Sequence, residues 1–303
     1  MTMARSRRIA RLVCAFAGIV VLVFSALVHT AGQTAAPGSD TAHAPGKQDS
    51  TKDIEPDIDQ FPTVDTTYPP YTFRPVNNLA FGVGETLKFS IGWEKIVAGY
   101  AQATVPEIVE RRGRTCFHAV STAHSTKLFS TFFNVEDWAE SFFDAREIIP
   151  VHFEKHLSEG KYRADQIVDF YPESRVAVTQ KDTVPVSPYV QDALSLLYFV
   201  RTQPLKVGDT LYVDNFSKDK SYRLEIHVVK RERIQVKAGT FNTLVVEPLL
   251  QAAGLFKHKG RLTVWLTDDR LKMPVLMKSK VIVGSIVAEL EEYKLGRLTR
   301  FER

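Results

Sequence analysis

Residues 260–293 read GRLTVWLTDDRLKMPVLMKSKVIVGSIVAELEEY, and this stretch decides the fold. Leu262, Val264 and Leu266 alternate with Thr263, Trp265 and Thr267, so a strand here has one aliphatic face and one polar face carrying a tryptophan. Thr267-Asp268-Asp269-Arg270 supplies short side chains that hydrogen-bond their own backbone, the chemistry of a turn. Met273, Val275 and Met277 then share a face, Gly284-Ser285 breaks the run, and Ile286, Ala288 and Leu290 share a face again. Period-two patterning alone gives three strands in succession. The stretch contains no nucleophile motif, metal cluster or phosphate loop.

Working back from there, the same period recurs along the chain. Phe241 to Leu249 reads as a strand after an Ala238-Gly239 turn, and Tyr222, Leu224, Ile226 and Val228 alternate cleanly, continued by Ile234 and Val236. Leu87, Phe89, Ile91 and Trp93 alternate with Lys88, Ser90 and Gly92. The next strand places Gly99, Ala101 and Ala103 on one face with Val105, small residues that leave room for a large neighbour or a ligand. Thr115 to Ser121, Ile149 to Leu157, Gln166 to Tyr171 and Arg175 to Thr179 are further hairpin-length runs between turn signals. One helix interrupts them. Ser187 is its expected N-cap with Pro188 at the first helical position, Val190, Ala193, Leu194, Leu197, Tyr198 and Arg201 form its stripe, and Pro204 ends it. The expectation is an all-β, mainly antiparallel domain, a curved sheet or open barrel with one α-helix packed against it.

The N-terminal part of the chain is different. Arg5, Arg7, Arg8 and Arg11 precede an uncharged run from Leu12 to Val28, followed by small residues, so residues 1–31 read as a signal peptide or an N-terminal membrane anchor. Residues 32–79 are rich in Pro, Ser, Thr and Asp and read as a disordered linker, whose last part, Tyr68 to Phe81, has the aromatics to lie along the domain. The folded domain is assigned to 80–303. Either reading of the leader exports the rest of the chain, anchored to the membrane by residues 12–28 if the leader stays uncut.

Charge excludes one class of partner. The 39 basic and 35 acidic residues become 35 of each once residues 1–31 are set aside, so the exported part is neutral and nucleic acid is not expected. Removal of Cys14 with the leader leaves Cys116 alone, a buried thiol without an intramolecular disulfide.

Several segments together resemble a known family. GETLKFSIGW, DAREIIPVHFEKHLSEGKY, DALSLLYFVRTQPLKVGD, VKAGTFNTLVVEP and the quoted 260–293 stretch are similar to the bacterial domain of unknown function 3108, over about residues 82–293. The resemblance implies an exported, β-rich protein of the Gram-negative envelope and carries over no catalytic residues.

The polar candidates for a site have simpler explanations. His152, Glu154 and His156 in VHFEKHL fall on one face of a strand, about 7 Å apart in steps of two, with His118 and His124 as further histidines; a solvated polar face is the favoured account and no metal is expected. Asp268 and Asp269 are explained by turn chemistry, Glu247 calls for a partner such as Arg261 or Lys278, and Ser195 and Ser285 lack a nucleophile elbow. No cofactor is indicated and no enzyme is expected. The remaining constellation is apolar: Trp93, Gly99, Ala101, Phe129, Phe132, Phe133, Trp138, Tyr198 and Trp265 are the candidate lining of a curved-sheet cavity for a lipid-like or other hydrophobic ligand. The alternative is a solid core, with the surface serving an envelope protein partner.

Overall fold

The computed structural model describes residues 63–93, 96–250, 262–280, 284–299 and 301 of the 303-residue chain. The leader and the linker up to residue 62 lie outside these, as do Arg261 and the side chain of Trp93.

Among the described residues, fourteen strands form one antiparallel sheet. They are β1 (Glu85–Trp93), β2 (Ile96–Arg111), β3 (Arg114–Ser125), β4 (Glu136–Asp144), β5 (Pro150–Glu159), β6 (Tyr162–Tyr171), β7 (Val176–Thr179) and β8 (Thr183–Pro185), then β9 (Thr210–Ser217), β10 (Lys220–Val236), β11 (Gly239–Leu250), β12 (Leu262–Thr267), β13 (Pro274–Lys280) and β14 (Ser285–Lys294). Their spatial order is 8-7-6-5-4-3-2-1-14-13-12-11-10-9. Two meanders, β1–β8 and β9–β14, are therefore joined in the middle by the pairing of the first strand with the last, with Phe89 opposite Leu290 and Ile91 opposite Ala288.

The sheet is open, and its edges, β8 and β9, are consecutive in sequence. It curls until they approach each other: the chain leaving β8 lies along β9 through Gln191, whose N–H donates to Asp214 O and whose carbonyl accepts from Phe216 N, both at 2.8 Å. Phe170 of β6 meets Phe216 of β9 edge-on at 5.6 Å.

The alternation read from the sequence sets the faces. Leu262, Val264, Leu266, Met277, Ile286, Ala288 and Leu290 are all buried on the inner side, in one core with Leu87, Phe89, Ile91, Ala101 and Ala103. Thr263 and Trp265 alternate outward. A second cluster, Ala139, Phe153, Val168, Phe170, Val190, Leu194 and Phe216, fills the curl where the edges meet.

Two helices are present among the described residues. The short α1 (Lys127–Ser130) lies between β3 and β4, and α2 (Ala193–Thr202) between β8 and β9. The α2 N-cap is Asp192, not Ser187: its carboxylate accepts from Leu194 N at 2.7 Å and Ser195 N at 2.9 Å, and Ser195 Oγ completes a capping box. A buried carboxylate that satisfies two backbone donors makes a stronger start than the upstream Ser187, whose carbonyl and hydroxyl are used in a local turn with Val190 and Tyr189. The helix buries Leu194, Leu196, Tyr198, Phe199, Val200 and Arg201 around most of its circumference, because it sits within one end of the curl.

That end is also crossed by the N-terminal segment. Residues 63–79, assigned by composition to the linker, run against the domain. Tyr71 Oη and Arg74 N donate to the fully buried Glu147 at 2.5 and 2.8 Å, Val76 N donates to Arg146 O, and the Arg74 guanidinium lies 3.9 Å above the Tyr189 ring. Arginine and tyrosine contacts, several of them to a buried acid, hold a segment too poor in aliphatic residues to announce itself.

Candidate functional site

Because strand direction alternates, the connections divide between two ends. The β1 N-terminus, α2 and the 63–84 segment close one end. At the other, β2 begins, β3 ends and β4 begins, with α1 between them.

Short-range polar bonds build α1. Thr126 is its N-cap, its hydroxyl accepting from Phe129 N at 3.3 Å, while Thr126 N donates to Ala98 O at 2.8 Å and so ties the turn to β2. Ser130 and Thr131 hydroxyls bond back to the carbonyls of Lys127 and Leu128. These local bonds hold the turn, which leaves its apolar side chains to point where the backbone sends them. Leu128 and Phe132 point out, at 75% and 81% exposure. Phe133 turns in and covers Gly160, where a Cβ would stand 2.5 Å from its ring.

Beneath this turn is a cavity of about 20 Å³ lined by Ile91, Ala98, Gly99, Ala123, Phe129 and Phe133. It has room for about one water and none for an acyl chain. Gly99 is small for a backbone reason, since a Cβ there would stand 2.6 Å from His124 O.

Beside it on the inner face lies a group that strand parity alone could have flagged. Asp137, Lys155 and Glu159 are buried. Burial pushes the Glu159 carboxyl up to about 8, reinforced by the neighbouring Asp137, and Asp137 up to about 6, against the donation from Ser158 N. Burial and the nearby Lys218 bring Lys155 down to about 8. Perturbed titratable groups of this kind concentrate at functional sites. The signal was in the sequence: Lys155 and Glu159 alternate with His152, Glu154 and His156 and must face the other way.

The nine aromatic and small residues expected to line a cavity do not share one. Gly99, Phe129 and Phe133 meet at the small cavity, and Ala101 is in the core one step along β2. Tyr198 is at the closed end, its ring 4.6 Å from that of Phe81 and stacked on Phe143 at 5.3 Å. Trp138 and Trp265 are on the outer face. The first stacks on His156 at 5.1 Å, and the second donates its Nε1–H to Glu232 at 2.8 Å. Phe132 is in solvent, and Trp93 ends β1 with its side chain outside the described residues. Strand parity puts Trp138 and Trp265 on the face opposite the core.

Other candidates have local roles. Asp269 accepts from Thr267 Oγ1, Leu271 N and Lys272 N within its turn, and Asp268 pairs with Arg231 at 2.7 Å. Glu247 is buried with Thr263 Oγ1 at 3.4 Å. Ser195 belongs to the helix cap, and burial raises the Cys116 thiol to about 12. His152, Glu154 and His156 do lie on one outer strand face, where His118 reaches Glu140 at 2.8 Å. His124 is apart from them, beside Tyr100.

The model of the family described as "Protein of unknown function (DUF3108)" matches residues 88–291. No curated protein matches the chain. Among solved structures, the chain is similar to a β-barrel-like protein of the domain of unknown function DUF1849 from Brucella abortus, at 9% identity and a TM-score of 0.47, covering 72% of this chain and all of that one. It is similar also to a protein from Parabacteroides distasonis classed as a lipoprotein, at 12% identity and a TM-score of 0.33, covering 73% of this chain and 100% of the other.

Proposed function

The chain belongs to the DUF3108 family, and from that premise we propose that it is an exported, non-enzymatic module of the cell envelope that takes a hydrophobic or lipid-like ligand on the α1 end of its curved sheet. The observation that carries this reading is the pair Leu128 and Phe132, exposed on a turn whose other aromatics, Phe129 and Phe133, cover the apolar cavity. The 63–84 segment and α2 pack across the opposite end, whereas this exposed apolar pair stands at the α1 end. The filled core puts that ligand at the rim, against α1, instead of deep within the sheet.

Export is supported by the arginine-led, uncharged stretch at the N-terminus. A non-enzymatic role is supported by the uses to which the reactive side chains are put: Ser195 caps a helix, Asp269 closes a turn, and Cys116 is buried with its thiol held protonated. The filled core also favours a second reading, in which the same exposed turn docks an envelope protein.

Native mass spectrometry of the full-length protein purified from the periplasmic and membrane fractions tests the choice. Adducts that extract into organic solvent, together with uptake of a fluorescent fatty acid that is lost in Leu128→Ser/Phe132→Ser, support the ligand reading. A clean mass with no uptake overturns it and leaves the protein partner.

A further inference from the structure

The outer face of β3–β6 carries an interlocked row of histidines and carboxylates unrelated to the α1 end. Glu140 of β4 stands directly opposite Glu154 of β5, and His152 is two residues from Glu154 on the same face. One ligand atom from each of Glu140, His152 and Glu154 lies within 4.8 Å of the others. Like charges directly opposite on paired strands are destabilising, and a positive group beside them relieves the repulsion.

We propose that Glu140, His152 and Glu154 bind a divalent transition-metal ion of the zinc class. The arrangement of His152 is what distinguishes the site from an acidic patch. The residue is 7% exposed, and its Nδ1 is 2.7 Å from Asp169 Oδ1, a carboxylate that Arg112 holds in turn. A carboxylate on one ring nitrogen fixes the tautomer in which the other nitrogen presents its lone pair, the arrangement that supports metal-ligating histidines. That other nitrogen, Nε2, faces the acids at 3.7 Å from Glu154 Oε2, too far for a direct hydrogen bond. A metal ion draws such groups together to bond lengths of about 2.0–2.2 Å.

Both carboxylates are oriented from outside. His118 Nε2 is 2.8 Å from Glu140 Oε2, with Glu107 on its other nitrogen, and His156 Nε2 is 2.6 Å from Glu154 Oε1, with Asp165 on its other nitrogen. Phe142 stacks on His118 at 4.3 Å and Trp138 on His156 at 5.1 Å, which restrains the two flanking rings. An imidazole among two carboxylates selects zinc-class ions over calcium and magnesium, which prefer all-oxygen sets.

The test is a zinc titration of the metal-stripped full-length protein, read by competition with a chromophoric chelator and by the melting temperature. One zinc per chain with a raised Tm is expected, and calcium at the same concentration should leave Tm unchanged. Glu140→Gln and Glu154→Gln, near-isosteric and partly exposed, should each weaken zinc at least tenfold, and Asp169→Asn, which acts through His152, should weaken it by about 10–100-fold. Circular dichroism of each variant confirms that it folds. Absence of saturable zinc binding, an equal response to calcium, or an affinity unchanged in Glu140→Gln and Glu154→Gln would each overturn the proposal.

Discussion

Arg201 and Glu85 face each other across 116 residues of sequence with both terminal guanidinium nitrogens 2.7 Å from the two carboxylate oxygens, and both side chains are buried. The same guanidinium donates to Ala80 O and Leu271 O, each at 3.1 Å. One side chain thus fastens the end of α2 to β1, to the N-terminal segment and to the β12–β13 turn. Removing one partner of a buried pair strands the other charge, at a cost of about 3–5 kcal/mol. Glu85→Gln and Arg201→Met should each lower Tm strongly by differential scanning calorimetry. The double variant should recover part of the loss, because no unpaired charge then remains.

The inner-face acids predict a falling stability as pH rises. Glu159 and Asp137 have folded-state pKa values raised by burial from 4.5 to about 8 and from 3.8 to about 6, and Asp192 is raised likewise to about 6. The native state holds these protons more tightly than the unfolded chain, so their contribution is full near pH 4 and is lost as pH climbs through 6 and 8. Lys155, lowered by burial from 10.5 to about 8, works the other way, its contribution returning only above pH 8. Thermal melts from pH 5 to 8 should therefore show declining Tm, and Glu159→Gln should flatten the upper half of that decline. A slope identical in the variant would refute the assignment.

At the α1 end, the two directions of the turn should separate cleanly. Phe132→Ser alters a side chain in solvent and should leave stability within about 0.5 kcal/mol while reducing fatty-acid uptake. Phe133→Ala removes a buried ring and should cost about 3–5 kcal/mol in chemical denaturation. Gly160→Ala should destabilise as well, since its φ is +58° and the added methyl meets the Phe133 ring.

The segment before the sheet is structural. Glu147 is fully buried and receives Tyr71 Oη, Arg74 N and Arg114 Nη1. A chain that begins at residue 81 should melt lower than one that begins at 63, and Tyr71→Phe in the longer chain should reproduce part of the difference.

The sheet was legible because parity is a strong signal. Leu262, Val264 and Leu266 could take only one face together, and the three strands of 260–293 fall where their alternation places them. The same rule puts Trp265 on the polar side, and counting aromatics toward a shared cavity disregards it. Trp138 is misplaced by that count for the same reason, since its neighbours Asp137 and Ala139 are the inward pair. Long-range facts left no local trace. Nothing near Arg201 names Glu85, and nothing near β1 announces β14. Asp192 is easily overlooked as a cap because Ser187-Pro188 matches the usual pattern more closely.

The union of β1 with β14 has a bearing on how the protein is made. Phe89 waits for Leu290, about 200 residues away, and contacts of such separation form late. As the chain is delivered from its N-terminus, the first meander can assemble while the edge of β1 stays unpaired, a template for other strands until the final residues arrive. Loss of residues 285–294 by truncation or clipping would remove a central strand, not a marginal one, and split the sheet between its two halves. A copy that lacks its last strand therefore keeps β1 as an unpaired edge in the middle of what should be one sheet.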